Sequence, residues 1–167
     1  MVCEYLDKDL IEDLYERTEE TGLEYGVSIC EDGRTDIVKG EKDWIDTPKC
    51  QVDDSLSINI HTHPSNNIGL SANDWRSFVT ENLQYPEGTK FDEDMKRASC
   101  IVGKRMGDDG VTAHCVRMTD EARNLSIKDQ RGLSKRILSD IRDEGLGFGG
   151  INPVSKYDEI DDCYITF

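Results

Sequence analysis

Residues 55–75 read Ser-Leu-Ser-Ile-Asn-Ile-His-Thr-His-Pro-Ser-Asn-Asn-Ile-Gly-Leu-Ser-Ala-Asn-Asp-Trp, and two periodicities meet inside them. Leu56, Ile58 and Ile60 alternate with Ser57, Asn59 and His61, the pattern of a strand with one apolar and one polar face. His61 and His63, two residues apart, continue the polar face together. Pro64 has no N–H to give a sheet, so the strand ends there, and Ser65–Gly69 has the composition of a loop. From Ser71 the period becomes helical. Trp75, Phe78 and Val79 share one face of a helix expected over Ala72–Leu83, ending ahead of Pro86.

Upstream, Leu6, Leu10, Ile11, Leu14 and Tyr15 fall on one helix face, which fades into Thr18–Thr21 and can end at Gly22. Tyr25–Cys30 reads as a strand, and the turn-forming Glu31–Arg34 leads to a second strand at Asp36–Val38, giving a hairpin. Gly40–Asp54 has no period and is expected to be a loop. Downstream, Tyr85–Lys96 is charged and turn-rich, as in a surface insertion. Ala98–Val102 and Val111–Met118 flank Gly107–Gly110 as a further hairpin. Asp120–Asp143 is helical in pattern with a break expected near Gly132, Gly145–Gly150 is a connector, and Tyr164–Phe167 suits a closing edge strand. Mixed helices and hairpins without repeats indicate an α+β fold, and 167 residues suit a single domain over 1–167.

Thirty-five acidic against twenty basic residues give a net charge of −15, a field that repels nucleic acid and anionic membranes. The six cysteines form no CxxC pair, and Cys30, Cys100 and Cys115 lie in apolar runs, so they read as reduced, buried small hydrophobes. The opening MVCEYLDKDL lacks the basic end and apolar run of a signal peptide, and no window is apolar enough to span a bilayer. The expectation is a soluble cytoplasmic protein with neither nucleic acid nor membrane as partner.

The histidines belong to a longer pattern, HxHx7SxxD, formed by His61, His63, Ser71 and Asp74. Two imidazoles and a carboxylate are three ligands for one Zn2+ per chain, with a fourth position left for water. Taken singly, the parts have plainer readings. Ser71 with Asp74 is also a helix-capping pattern, and two histidines on a polar strand face are ordinarily just solvated. His114, in the strand-like run Thr112–Val116, reads as a structural residue rather than a ligand. Amide hydrolysis also needs a base to move protons, and Glu24, at the junction of the first helix and strand, is the candidate, with Glu19 and Glu20 as alternatives.

The segment HTHPSNNIGLSANDW resembles the metal-binding signature of the JAMM family, the MPN-plus or JAB-domain zinc metalloproteases. The family order of helix, strand-opening glutamate and HxHx7SxxD is matched by Leu6–Thr21, Glu24 and His61–Asp74. The resemblance implies zinc on His61, His63 and Asp74, Glu24 as acid and base, and Ser71 as a partner of the oxyanion. It departs from the family in spacing: a glycine often follows the glutamate by three residues, whereas Gly26 follows Glu24 by two and Gly22 follows Glu19 by three. The implied fold is a curved, mainly antiparallel sheet flanked by helices, similar to the cytidine deaminase architecture. The HxE and PCxxC signatures of the zinc deaminases themselves are absent from the chain. The implied activity is zinc-dependent peptidase or isopeptidase chemistry on a protein substrate carrying a ubiquitin-like modifier. Peptidases of cell-wall or phage-assembly peptides, and non-catalytic MPN-type binding modules, share the resemblance.

Overall fold

A computed structural model describes residues 2–51, 55–83, 96–147 and 153–167. The chain divides into two compact units, Met1–Ile68 with Asp94–Arg117 and Asp162–Phe167, and Gly69–Glu93 with Met118–Asp161.

The first unit is built on a mixed, mostly antiparallel sheet. Its strands are β1 (Tyr25–Cys30), β2 (Gly33–Arg34), β3 (Val38–Lys39), β4 (Leu56–Thr62), β5 (Lys96–Gly103), β6 (Thr112–Met118) and β7 (Ile160–Thr166), in the order β2-β1-β4-β5-β6-β7 with β3 also paired to β1. The β4–β5 pair is parallel, with His61 opposite Ile101. A parallel pair cannot be closed by a tight turn, so β4 and β5 are neighbours without being a hairpin. Helix α1 (Lys8–Thr21) packs on β1, β4 and β5. It starts where the Asp7 carboxylate accepts from the Leu10 N–H and stops at Gly22, whose φ of 71° only glycine adopts without cost. Leu10, Ile11 and Leu14 bury its apolar stripe in a core with Val27, Ile58, Ile60, Val102 and Ala113.

Two expectations shift here. The strand expected at Asp36–Val38 is instead two short pieces, β2 at Gly33–Arg34 inside the expected turn and β3 at Val38–Lys39, because the pairing with β1 changes by one residue between Arg34 opposite Ile29 and Val38 opposite Gly26. One extra residue is a bulge, which an alternation pattern does not announce. The cysteines are buried as read, apart from the half-buried Cys50 and Cys163, but they are not reduced: Cys3–Cys163, Cys30–Cys50 and Cys100–Cys115 are disulfides. Cys100 and Cys115 face each other across β5 and β6, and Cys3 meets Cys163 from 160 residues away. Neither proximity is visible as a local spacing.

The second unit contains α2 (Ala72–Leu83), α3 (Asp120–Arg123) and α4 (Ile127–Asp143). α2 has the bounds that the sequence indicated, and it packs on α4. Trp75 and Phe78 are fully buried, and the Tyr157 hydroxyl donates to Asp140 at 2.6 Å. The break expected near Gly132 falls instead at Asn124–Ser126; Gly132 is inside α4, whose start is set by Ser126 accepting from the Asp129 N–H. Capping fixes that boundary more strongly than a mid-helix glycine, which costs only about 1 kcal/mol. The insertion expected at Tyr85–Lys96 lies outside the described residues except Lys96, which opens β5. No described helix is long and apolar enough to cross a membrane.

Candidate metal centre

Strand alternation gives β4 two working faces near its end. Thr62 points with Ile58 and Ile60 toward the core, and His61 and His63 point the other way. Both histidines are largely buried, at 8% and 9% exposure, so the polar face of this strand is not solvated at its end. His61 sits opposite Gly26 of β1, two residues past Glu24. That pairing brings the Glu24 carboxylate, 4% exposed, to the histidines.

The donor atoms converge. Nε2 of His61 and Nε2 of His63 are 3.2 Å apart, and Glu24 Oε1 lies 3.6 Å from the first and 4.0 Å from the second. Glu24, His61 and His63 thus form a buried group able to hold a metal ion. The His63 Nδ1–H donates to the Asn67 carbonyl at 2.6 Å. A carbonyl only accepts, so in the neutral ring the proton is on Nδ1, and Nε2 offers its lone pair to the cluster. Two ligands about 2.0–2.1 Å from a tetrahedral zinc stand about 3.3 Å apart, so the imidazole separation fits such an ion.

Several residues without a sequence signal set this geometry. Thr62, fully buried, bonds through Oγ1 to Thr18 Oγ1 at the end of α1 and accepts the Tyr25 N–H at 3.0 Å. It therefore ties together the helix end, the segment that carries Glu24 and the strand that carries both histidines. Asn66, at φ 62°, turns the chain back after His63, with its N–H donating to the His63 carbonyl and its Oδ1 accepting from the Lys104 N–H. Asn tolerates this left-handed conformation better than other side chains. Gly103 leaves room for the turn, since a Cβ there would lie 3.2 Å from the Asn66 backbone.

The alternative glutamates are placed elsewhere. Glu19 and Glu20 are exposed on α1, and Glu19 lies beside the Tyr15 hydroxyl, whose pKa is raised by burial and by the Glu19 charge. Ser71 and Asp74 belong to the second unit, where they cap α2 reciprocally: the Ser71 N–H donates to Asp74 Oδ2 at 2.9 Å and the Asp74 N–H donates to Ser71 Oγ at 3.1 Å. His114 is buried, with Nδ1 2.8 Å from the Ile68 carbonyl, Nε2 2.8 Å from Asp162 Oδ2, and its ring stacked on Tyr164. Both of its ring nitrogens thereby have structural partners.

No protein-family model, no curated protein and no solved structure matches this chain.

Proposed function

We propose that this chain is a zinc-dependent peptidase or isopeptidase of the JAMM type, with an MPN-like fold, acting on amide bonds of proteins that carry a ubiquitin-like modifier. The observation that carries the reading is the convergence of Glu24, His61 and His63, from two separate strand ends, into one buried group. A capping pattern or a pair of solvated histidines does not require a buried glutamate beside both rings. In this reading His61 and His63 hold zinc through Nε2, and Asp74 is the third ligand on the strength of the sequence pattern. When bound, the metal supplies the Lewis acidity that makes a water reactive at neutral pH.

The protein's own groups do the rest. Glu24 takes the proton of the attacking water on a carboxylate oxygen and returns it to the leaving amine. Its burial keeps that oxygen beside the reaction rather than in bulk water. Asn67 holds His63 in the tautomer that a ligand needs. Ser71 is assigned to the developing oxyanion by resemblance alone.

A non-catalytic binding module is the second reading, and the capping pair favours it, because that pair gives the SxxD half of the motif a structural task. The cytoplasmic placement drawn from the sequence rests on composition, and three disulfides weigh against it, since they persist chiefly in oxidising compartments.

The test compares native chain, Glu24→Gln and His63→Ala for zinc content and for hydrolysis of a lysine-linked ubiquitin-like conjugate. Glu24→Gln should keep zinc and lose about 10²–10⁴-fold in rate, the contribution of a positioned acid–base group. His63→Ala should lose both. Unchanged hydrolysis in Glu24→Gln rejects the mechanism, and zinc binding without turnover in the native chain gives the binding module precedence.

A further inference from the structure

Away from the histidine cluster, a second group of metal-ligating atoms lies in the core of the first unit. The sulfurs of Cys3, Cys115 and Cys163 lie within 4.8 Å of one another, and Cys100 is bonded to Cys115. Three cysteines from the Val2–Tyr5 turn, β6 and β7 therefore converge, and a fourth, from β5, is attached to them through its bond to Cys115. We propose that these four residues are a redox-gated metal site: when both disulfides are reduced, Cys3, Cys100, Cys115 and Cys163 bind one Zn2+ as thiolates.

Three atoms no more than 4.8 Å apart surround a centre at most about 2.8 Å from each, and a Zn–S bond is about 2.3 Å. Opening the S–S bonds separates the bonded sulfurs toward the roughly 3.8 Å of a tetrahedral thiolate set, a movement that side-chain torsions can supply. Cys100 and Cys115 are direct partners across paired strands and present their sulfurs to the same face, so the sheet itself places two of the four donors side by side. The donor set is soft. Thiolates without a carboxylate select zinc over magnesium or calcium, and they differ in kind from the nitrogen and oxygen donors of the Glu24 cluster. Ile60, Val102 and Ala113 belong to the same apolar core, where four unbonded thiols would make no strong hydrogen bonds. Cys163 is only partly buried, so one edge of the site faces solvent, which lowers the cost of a net negative complex.

The exchange balances. Two molecules of a low-molecular-weight disulfide oxidise the zinc-bound form: two S–S bonds form in the protein, two break in the oxidant, four small thiolates leave and Zn2+ is released. A thiol reductant with Zn2+ reverses it. The first unit would thus keep a cross-link at one point of its core in either redox state, and oxidation would be read out as zinc release. Cys30–Cys50 takes no part.

The test is cobalt titration of the full chain, reduced with a phosphine under anaerobic conditions, with circular dichroism as the check on folding. The expected result is thiolate-to-cobalt charge-transfer absorption that saturates at one equivalent, is abolished by adding a disulfide oxidant, persists in His63→Ala and is weakened in Cys163→Ser. His63→Ala separates this site from the histidine cluster, so the two readings fail independently. A reduced chain that is folded yet gives no charge-transfer band overturns the proposal, as does a band that survives unchanged in both Cys163→Ser and Cys115→Ser. If the reduced chain unfolds, cobalt must restore both the fold and the band; failure to do so overturns it equally.

Discussion

Thr62→Val should loosen the candidate centre without touching a ligand. Valine nearly matches threonine in shape, so the change removes one oxygen and its bonds to the Tyr25 N–H and to Thr18. Both partners are buried, at 8% and 3% exposure. Each group left unsatisfied costs about 1–3 kcal/mol, and the added methyl returns about 0.8 kcal/mol, leaving a net loss of about 1–5 kcal/mol. For a chain of this size that is a fall in melting temperature of about 3–15 °C. Because Tyr25 follows Glu24 directly, the zinc affinity that the proposed function requires should also fall by about 10-fold or more, as for other groups that orient a metal site without ligating it. Thermal melting by circular dichroism and chelator competition for zinc measure the two effects. The double variant Thr18→Val/Thr62→Val sharpens the assay: it removes the orphaned hydroxyl as well, so its loss should be smaller than the sum of the single losses. A melting temperature within 1 °C of native for Thr62→Val, or strict additivity in the double variant, would refute the linkage of Thr62 to Thr18 and Tyr25.

At the turn after His63, Asn66→Ala should cost about 1–2 kcal/mol more than Asn66→Gly in denaturant unfolding, because both lose the bond to Lys104 but only alanine is strained at φ 62°; equal losses would remove the backbone from the explanation. Gly147→Ala places a Cβ 2.3 Å from the Ala72 nitrogen at a φ of 87°, so a loss of about 2–4 kcal/mol should accompany displacement of the Ser71–Asp74 cap, and an unchanged melting temperature would contradict it. Tyr157→Phe should cost about 1–2 kcal/mol by stranding Asp140, less whatever Lys156, 3.7 Å away, recovers. Burial, with Asp140 beside it, also holds the Tyr157 phenol pKa well above the ordinary 10.0. Its neutral form is thus favoured by folding, and the associated stability is complete below pH 10 and lost as the pH rises further. A spectrophotometric titration in which every tyrosine ionised near the ordinary value would refute this.

The features legible in the sequence were those written at short range. The alternation of Leu56 to His61 announced β4, Pro64 its end, and Ser71 with Trp75, Phe78 and Val79 the helix α2, because side-chain period and capping chemistry act over a few residues. The pairing of His61 with His63 was legible for the same reason, and Glu24 stands out in the sequence by its place at a helix–strand junction. What tertiary structure alone decided was proximity between distant segments. The register that sets His61 opposite Gly26, the Thr18–Thr62 contact across 44 residues, and the meeting of Cys3 with Cys163 all depend on how strands align and pack. The bulge between β2 and β3 and the break before Ser126 were decided by hydrogen bonding that a hydrophobic period does not encode. The residue types of the candidate centre were therefore readable from the chain itself. The burial that turns two histidines and a glutamate into one candidate metal centre was not, because burial belongs to the packed sheet and not to the strand.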